Sequence, residues 1–193
     1  MSTHRPLLRL GKSDDGRLVS SEEFAEADFD EPWRYERVAG RLVVMAPSGE
    51  ETLDLSEPWR DALIFYKRDH PDIVQRVTSE AWIRVDGGTD RIGDIGVYLV
   101  PNGPVGKIPD RVPELMFEFV SEGKKSRDRD YRMKREDYRR FGVREYVVID
   151  RFASTVTVHS LRSDVYVAHS LGVNDVYSSP LLPGLAIPLS EVF

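Results

Sequence analysis

Apolar positions along the chain recur with two periods, and the switches between them mark out the elements. Residues 35–38 and 41–45 read as strands joined through Ala39-Gly40, a hairpin signal. From Glu50 to Asp69 the apolar residues Leu55, Trp59, Leu63 and Tyr66 fall at helical spacing, with Ala62 beside them. That stripe predicts a helix packed into a core. Residues 73–85 alternate as a strand, with Val77, Ser79, Ala81, Ile83 and Val85 on one face, and Asp86-Gly87-Gly88 signals a turn. Strands follow at 92–100 and 114–120, the second apolar on both sides like a buried central strand. Residues 126–141 have helical composition, and Gly142 suits the C-cap. Residues 145–150 read as a buried strand, and 155–161 with 165–170 as a hairpin across Arg162-Ser163.

The ends are less regular. Residues 1–18 read as a loose leader ahead of one domain spanning 19–193. Ser20 or Ser21 can cap a short helix whose first turn carries Glu22 and Glu23, and Pro32 ends that stretch. The tail from Pro180 to Pro188 holds too much proline for a central strand and is expected to wrap the surface. The order of elements predicts a mixed α/β domain, with a central sheet flanked by helices and a β-hairpin near each end.

Composition narrows the classes. A chain of 193 residues with ordinary apolar content can bury one real core. No apolar run approaches the ~20 residues of a membrane helix, and the first residues lack the apolar stretch of a signal peptide. With no cysteine there is neither a disulfide framework nor a thiolate metal site. A cytoplasmic location is the default. The net charge of −6 argues against a wholly basic nucleic-acid binder, but it is unevenly spread. Residues 124–144 hold ten Lys/Arg against four acids, a local charge of +6 that leaves −12 for the rest. A basic strip on an acidic body can meet a phosphate backbone, and it can equally be a solvated, salt-bridged helix face.

Two acids stand out against this pattern. Asp94 alternates with apolar neighbours and glycines. Alone it fits a sheet-edge acid paired with an arginine. Glu118 lies between Phe117 and Phe119 in a strand read as buried, where a carboxylate needs a cation or several donors. Magnesium takes hard oxygen ligands and uses only one or two protein carboxylates, so one ion could satisfy both acids. Lys134, in the basic segment that follows, could orient an attacking water. Asp130 lies four residues before it in the favourable acid-then-base order, and Tyr138 shares its face. A single helical lysine considered by itself is a solvated charge. The four histidines show no metal-ligand spacing, Ser48 and Ser121 have no evident base, and the glycines form no phosphate-binding fingerprint.

The same residues carry a resemblance. Asp94, the run 118–121, the run 129–134, Tyr138 and the run 142–146 together resemble a large family of uncharacterised bacterial proteins in the PD-(D/E)XK, restriction-endonuclease-like superfamily. The hairpin around 35–47 and the run 179–185 resemble that family's N-terminal and C-terminal segments. The likeness covers roughly residues 20–193. It implies a restriction-endonuclease-like core and magnesium-dependent hydrolysis of DNA phosphodiesters, with manganese able to substitute. It implies Asp94 and Glu118 as metal ligands. The superfamily's usual lysine position, two after the glutamate, is Val120 here. The family moves that lysine to the following helix, where Lys134 stands, with Lys124 and Lys125 as nearer rivals. Glu36 and Glu51 could each add a carboxylate, although a structural role ranks above that for both. Several positions depart from the family: Gly93 replaces a proline, Glu122 another proline, and Val147 a tryptophan. DNA contact would run through the basic 124–144 segment, and enzymes of this class often act as homodimers. The alternative expectation is a catalytically silent binding or assembly module on the same fold.

Overall fold

The computed structural model describes residues 8–123 and 128–193. Contacts divide them into two compact units. One is built from the chain up to Pro47 with Arg84–Ile92, the other from Ser48–Ile83 and Gly93–Phe193. Strands β5 (Val74–Asp86) and β6 (Thr89–Leu99) give residues to both.

The first unit holds β1 (Arg9–Leu10) parallel to β2 (Asp28–Phe29), helix α1 (Ser21–Glu26), and the antiparallel pair β3 (Arg34–Val38) and β4 (Arg41–Met45). Ser20 starts α1. Its hydroxyl accepts the Glu23 N–H at 3.1 Å, and the Glu23 carboxylate accepts the Ser20 N–H at 2.8 Å. Ala39 and Gly40, at φ 50° and 76°, make the tight turn between β3 and β4. Residues 8–18 were expected to be loose, yet they carry β1 and a 3-10 turn, Lys12–Asp14, and Leu10 is buried. Two buried ion pairs fasten β3 to the tip of the β5–β6 hairpin: Arg37 with Asp90 at 2.6 Å and Arg91 with Glu36 at 2.7 Å.

The second unit holds α2 (Glu50–Asp69), most of β5 and β6, β7 (Leu115–Phe119), a π-helical segment Arg129–Lys134 continuing into α3 (Arg135–Phe141), β8 (Glu145–Asp150), β9 (Thr155–Arg162) and β10 (Val165–Gly172). Its strands run in the order β10-β9-β8-β7-β6, with β5 also on β6. The β7–β8 pair is parallel and its flanking pairs are antiparallel. A parallel pair needs a long crossover, and the stretch from 120 to 144 supplies it.

Alternation sorts the side chains of these strands onto two faces. Ile95, Val97, Leu115, Phe117, Phe119, Val147 and Ile149 join Leu55, Trp59, Leu63 and Tyr66 of α2 in one core. The Trp59 ring lies 5.9 Å from Phe117 and 5.2 Å from Tyr177. The intervening positions, Asp94, Glu118 and Tyr146 among them, are left to the other face. Gly142 ends α3 at φ 89°.

Two expectations change. Along β5 the buried residues are Val74, then Ala81 and Ile83, while Ser79 is exposed. Val74 and Val77 both pack on the core, and Glu80, at φ 50°, further interrupts regular alternation. The proline-rich tail forms a strand, β12 (Leu182–Pro188), paired with β11 (Val176–Ser179) in a separate two-stranded sheet, and it sends Leu182, Leu185 and Ile187 into the core.

A side chain at Gly96 would put its Cβ 2.6 Å from the Ala81 Cβ, which cannot rotate away. Gly96→Ala is expected to destabilise the protein by about 1–3 kcal/mol. Urea denaturation checks this, and an unchanged midpoint contradicts the close β5–β6 approach.

Candidate active site

The register of β6 on β7 pairs Ile95 with Phe117, Gly96 with Met116 and Val97 with Leu115. One further step sets Asp94 opposite Glu118 on the same face. Asp94 marks the end of this ladder, since its Oδ2 accepts the Phe119 N–H at 2.9 Å. A backbone donor thus holds one acid beside the other.

Glu118 is 2% exposed. Its Oε1 accepts two bonds from the crossover, from the Lys134 ammonium at 2.8 Å and the Tyr138 hydroxyl at 2.5 Å. Lys134 is also 2% exposed and Tyr138 is fully buried. Oε2 accepts no hydrogen bond among the described residues. Burial dominates the ionisation of Glu118 and lifts its pKa to about 8. Lys134 pulls against that shift, while the charges of Asp94 and Asp130 add to it.

Asp130, in the π-helical segment, is 1% exposed and is likewise pushed up by burial. Arg129 donates to its Oδ1 at 3.0 Å, and the buried Tyr146 hydroxyl donates to its backbone carbonyl at 2.8 Å. Tyr146 packs edge-on against Tyr138, with ring centroids 5.0 Å apart. Strand β8 therefore braces the segment carrying Asp130 and Lys134. Insertions of π-helix into an α-helix recur at functional sites.

Of the residues expected from sequence, Glu118 and Lys134 are in direct contact, and Asp94 acts on Glu118 electrostatically. Lys124 and Lys125 lie outside the described residues. Glu36 is fully buried, pairs with Arg91 and accepts the Ile92 N–H at 3.2 Å. Glu51 is exposed and pairs with Arg151. Val120, at the usual lysine position, is buried and its N–H bonds the Ile149 carbonyl. The place a Cβ would take at Gly93 is filled by the Met116 side chain. Two participants were underrated from sequence. Asp130 and Tyr138 were seen only as helical neighbours of Lys134. Their spacing of four residues on either side of it was the available signal.

The described part of the basic segment carries ion pairs along its helix. Arg139 pairs with Glu136 and Arg140 with Asp137, as on a solvated face. Arg132, Arg135 and Arg144 are exposed.

Residues 21–190 match the model of the family described as "Uma2: Putative restriction endonuclease". The chain belongs to this family. No curated protein matches it. A solved structure described as a putative nuclease belonging to DUF820, from Anabaena variabilis ATCC 29413, is similar with a TM-score of 0.71 at 14% identity. The match covers 91% of this chain and 97% of that one, so the two share a fold.

Restriction-endonuclease-like families generally use divalent metals, and the residues here fit such an ion. Asp94 and Glu118 offer hard oxygen donors from neighbouring strands, and among the described residues Oε2 of Glu118 is not taken by a donor. Among the described residues no three acidic or histidine side chains form a metal cage. A carboxylate pair is what magnesium uses when water and phosphate complete its shell.

Because the folded protein holds the Glu118 proton more tightly than the unfolded chain does, this group's contribution to stability is largest below about pH 4.5 and is lost as pH rises through about 8. Glu118→Gln keeps an Oε1 that can accept both bonds and removes the titration. Without divalent cations, its stability relative to wild type is expected to rise between pH 5 and pH 9, read by urea denaturation. A constant difference across that range contradicts the assignment.

Proposed function

We propose that the chain is a magnesium-dependent nuclease of the PD-(D/E)XK type that hydrolyses DNA phosphodiesters, with manganese able to substitute. Asp94 and Glu118 hold the cation and Lys134 orients the attacking water. The observation that supports this best is the Lys134–Glu118 bond. It joins a lysine on the crossover to the acid opposite Asp94, although Val120 occupies the position where the superfamily usually keeps its lysine. When bound, the cation would polarise the phosphodiester and lower the pKa of a bound water.

The chain's own residues do the rest. The Phe119 N–H fixes the Asp94 carboxylate, and Tyr138 with Lys134 fixes Oε1 of Glu118, which leaves Oε2 for the ion. The Lys134 ammonium has three donors, one of them on Oε1, and its charge can stabilise negative charge developing on the phosphate. Arg132, Arg135 and Arg144, exposed on or just beyond the same segment, would meet the phosphate backbone. A homodimer would let two such sites cut both strands. A cytoplasmic location suits this substrate, and no helix among the described residues is long and apolar enough to cross a membrane.

The Lys134–Glu118 bond also supports a second reading. A closed, buried ion pair can be purely structural, as in a catalytically silent binding module.

Incubating the pure protein with varied DNAs and magnesium separates the two. Cleavage that Asp94→Asn and Glu118→Gln each abolish is expected. Lys134→Met should lower the rate by about 10²–10³-fold. No cleavage, with no metal binding by calorimetry, leaves the silent module.

Metal binding carries its own signature. A cation on Glu118 must displace the proton that burial retains up to about pH 8, so binding at pH 7 should release protons and affinity should climb with pH. Titration in buffers of different ionisation enthalpy reads this directly. Binding that is independent of buffer and pH would remove Glu118 from the ligand set.

A further inference from the structure

Asp130 is a buried acid for which the proposed reaction has so far given no task. Its Oδ1 is held by Arg129 at 3.0 Å, while its Oδ2 is buried and has no hydrogen-bond partner among the described residues. A buried carboxylate oxygen without a donor is costly. Yet the fold secures this residue from behind, because the fully buried Tyr146 hydroxyl grips its backbone carbonyl at 2.8 Å. Lys134 lies four residues on in the same π-helical segment, just as buried, and the two charges act on each other. Among the described residues no group of three acids or histidines forms a metal cage around Asp130.

We propose that Asp130 is a positioning residue for Lys134, its open Oδ2 receiving the ammonium when a cation draws charge away from Glu118. This rests on the nuclease reading. Among the described residues Lys134 is the cation paired with Glu118, bonded at 2.8 Å. A metal on the same carboxylate competes with the ammonium for its charge. Lys134 then needs a second acid to keep it charged and aimed at the attacking water. Asp130 meets that need without leaving its braced segment.

The test compares wild type, Asp130→Asn and Asp130→Glu. Asp130→Asn should lower kcat by about 100-fold, as misplacing a catalytic group does. KM and magnesium affinity should stay within about twofold, since neither substrate nor metal binding is touched. Asp130→Glu should restore part of the rate. Labelling of Lys134 by acetic anhydride, followed by mass spectrometry in the presence of magnesium, should be several times faster in Asp130→Asn than in wild type. Loss of kcat together with metal affinity would make Asp130 a ligand and overturn the inference. A wild-type rate with an unchanged labelling rate would overturn it as well. If Asp130→Asn does not fold, Tyr146→Phe carries the test. It frees the Asp130 carbonyl and leaves the carboxylate, so it should lower kcat at constant KM, and a wild-type kcat overturns the role. A wild type that neither cuts DNA nor binds magnesium overturns the nuclease reading itself, and with it the task given to Asp130. That outcome is distinct from a working enzyme indifferent to the substitution.

Discussion

The site depends on one constraint: a glutamate on the buried central strand β7 must have its charge answered where water cannot reach. Glu118 meets it with two donors on a single oxygen, Lys134 and Tyr138. Isolated, an ionised carboxylate in that position would cost several kcal/mol, roughly the stability margin of a small domain. Lys134 answers Glu118 and Arg129 answers Asp130, while the charges of Asp94 and Asp130 add to the burial that raises the Glu118 pKa.

The scaffold makes this possible by giving the two faces of the strands different work. Ile95, Val97, Leu115, Phe117, Phe119, Val147 and Ile149 join the α2 stripe around Trp59, while Glu118 faces the crossover. The parallel pairing of β7 with β8 makes that crossover unavoidable, and its helical part arrives over Glu118. The tyrosines stiffen the contact. Tyr138 reaches the carboxylate, and Tyr146 reaches the backbone of the segment that carries Lys134. The segment that carries Lys134 is thus held in place by β8.

Much of this was legible in the residues. The Leu55–Trp59–Leu63–Tyr66 stripe, the Asp86-Gly87-Gly88 turn, the Gly142 cap and the strand at 145–150 follow local rules, and the structure has them where those rules put them. Glu118 was legible because a charge between two phenylalanines is expensive. Lys134 was not legible from charge alone, since ten cations crowd that segment, and only the family resemblance selected it. The tail was half legible: it stays out of the central sheet as its prolines imply, but Leu182, Leu185 and Ile187 reach the core where a surface wrap was expected. The paired roles of Glu36 and Arg91, and the grip of Tyr146 on Asp130, depend on contacts across long sequence separations that no local pattern encodes.

The central claim is that Asp94 and Glu118 form a shared cation site rather than two independently paired acids. A crystal structure of the protein soaked in manganese, with anomalous diffraction, tests it most directly. The account predicts one strong peak about 2.1 Å from a carboxylate oxygen of each residue, with the Lys134 ammonium drawn toward Oδ2 of Asp130. An empty site, or a peak elsewhere with the Glu118–Lys134 pair unchanged, would contradict it.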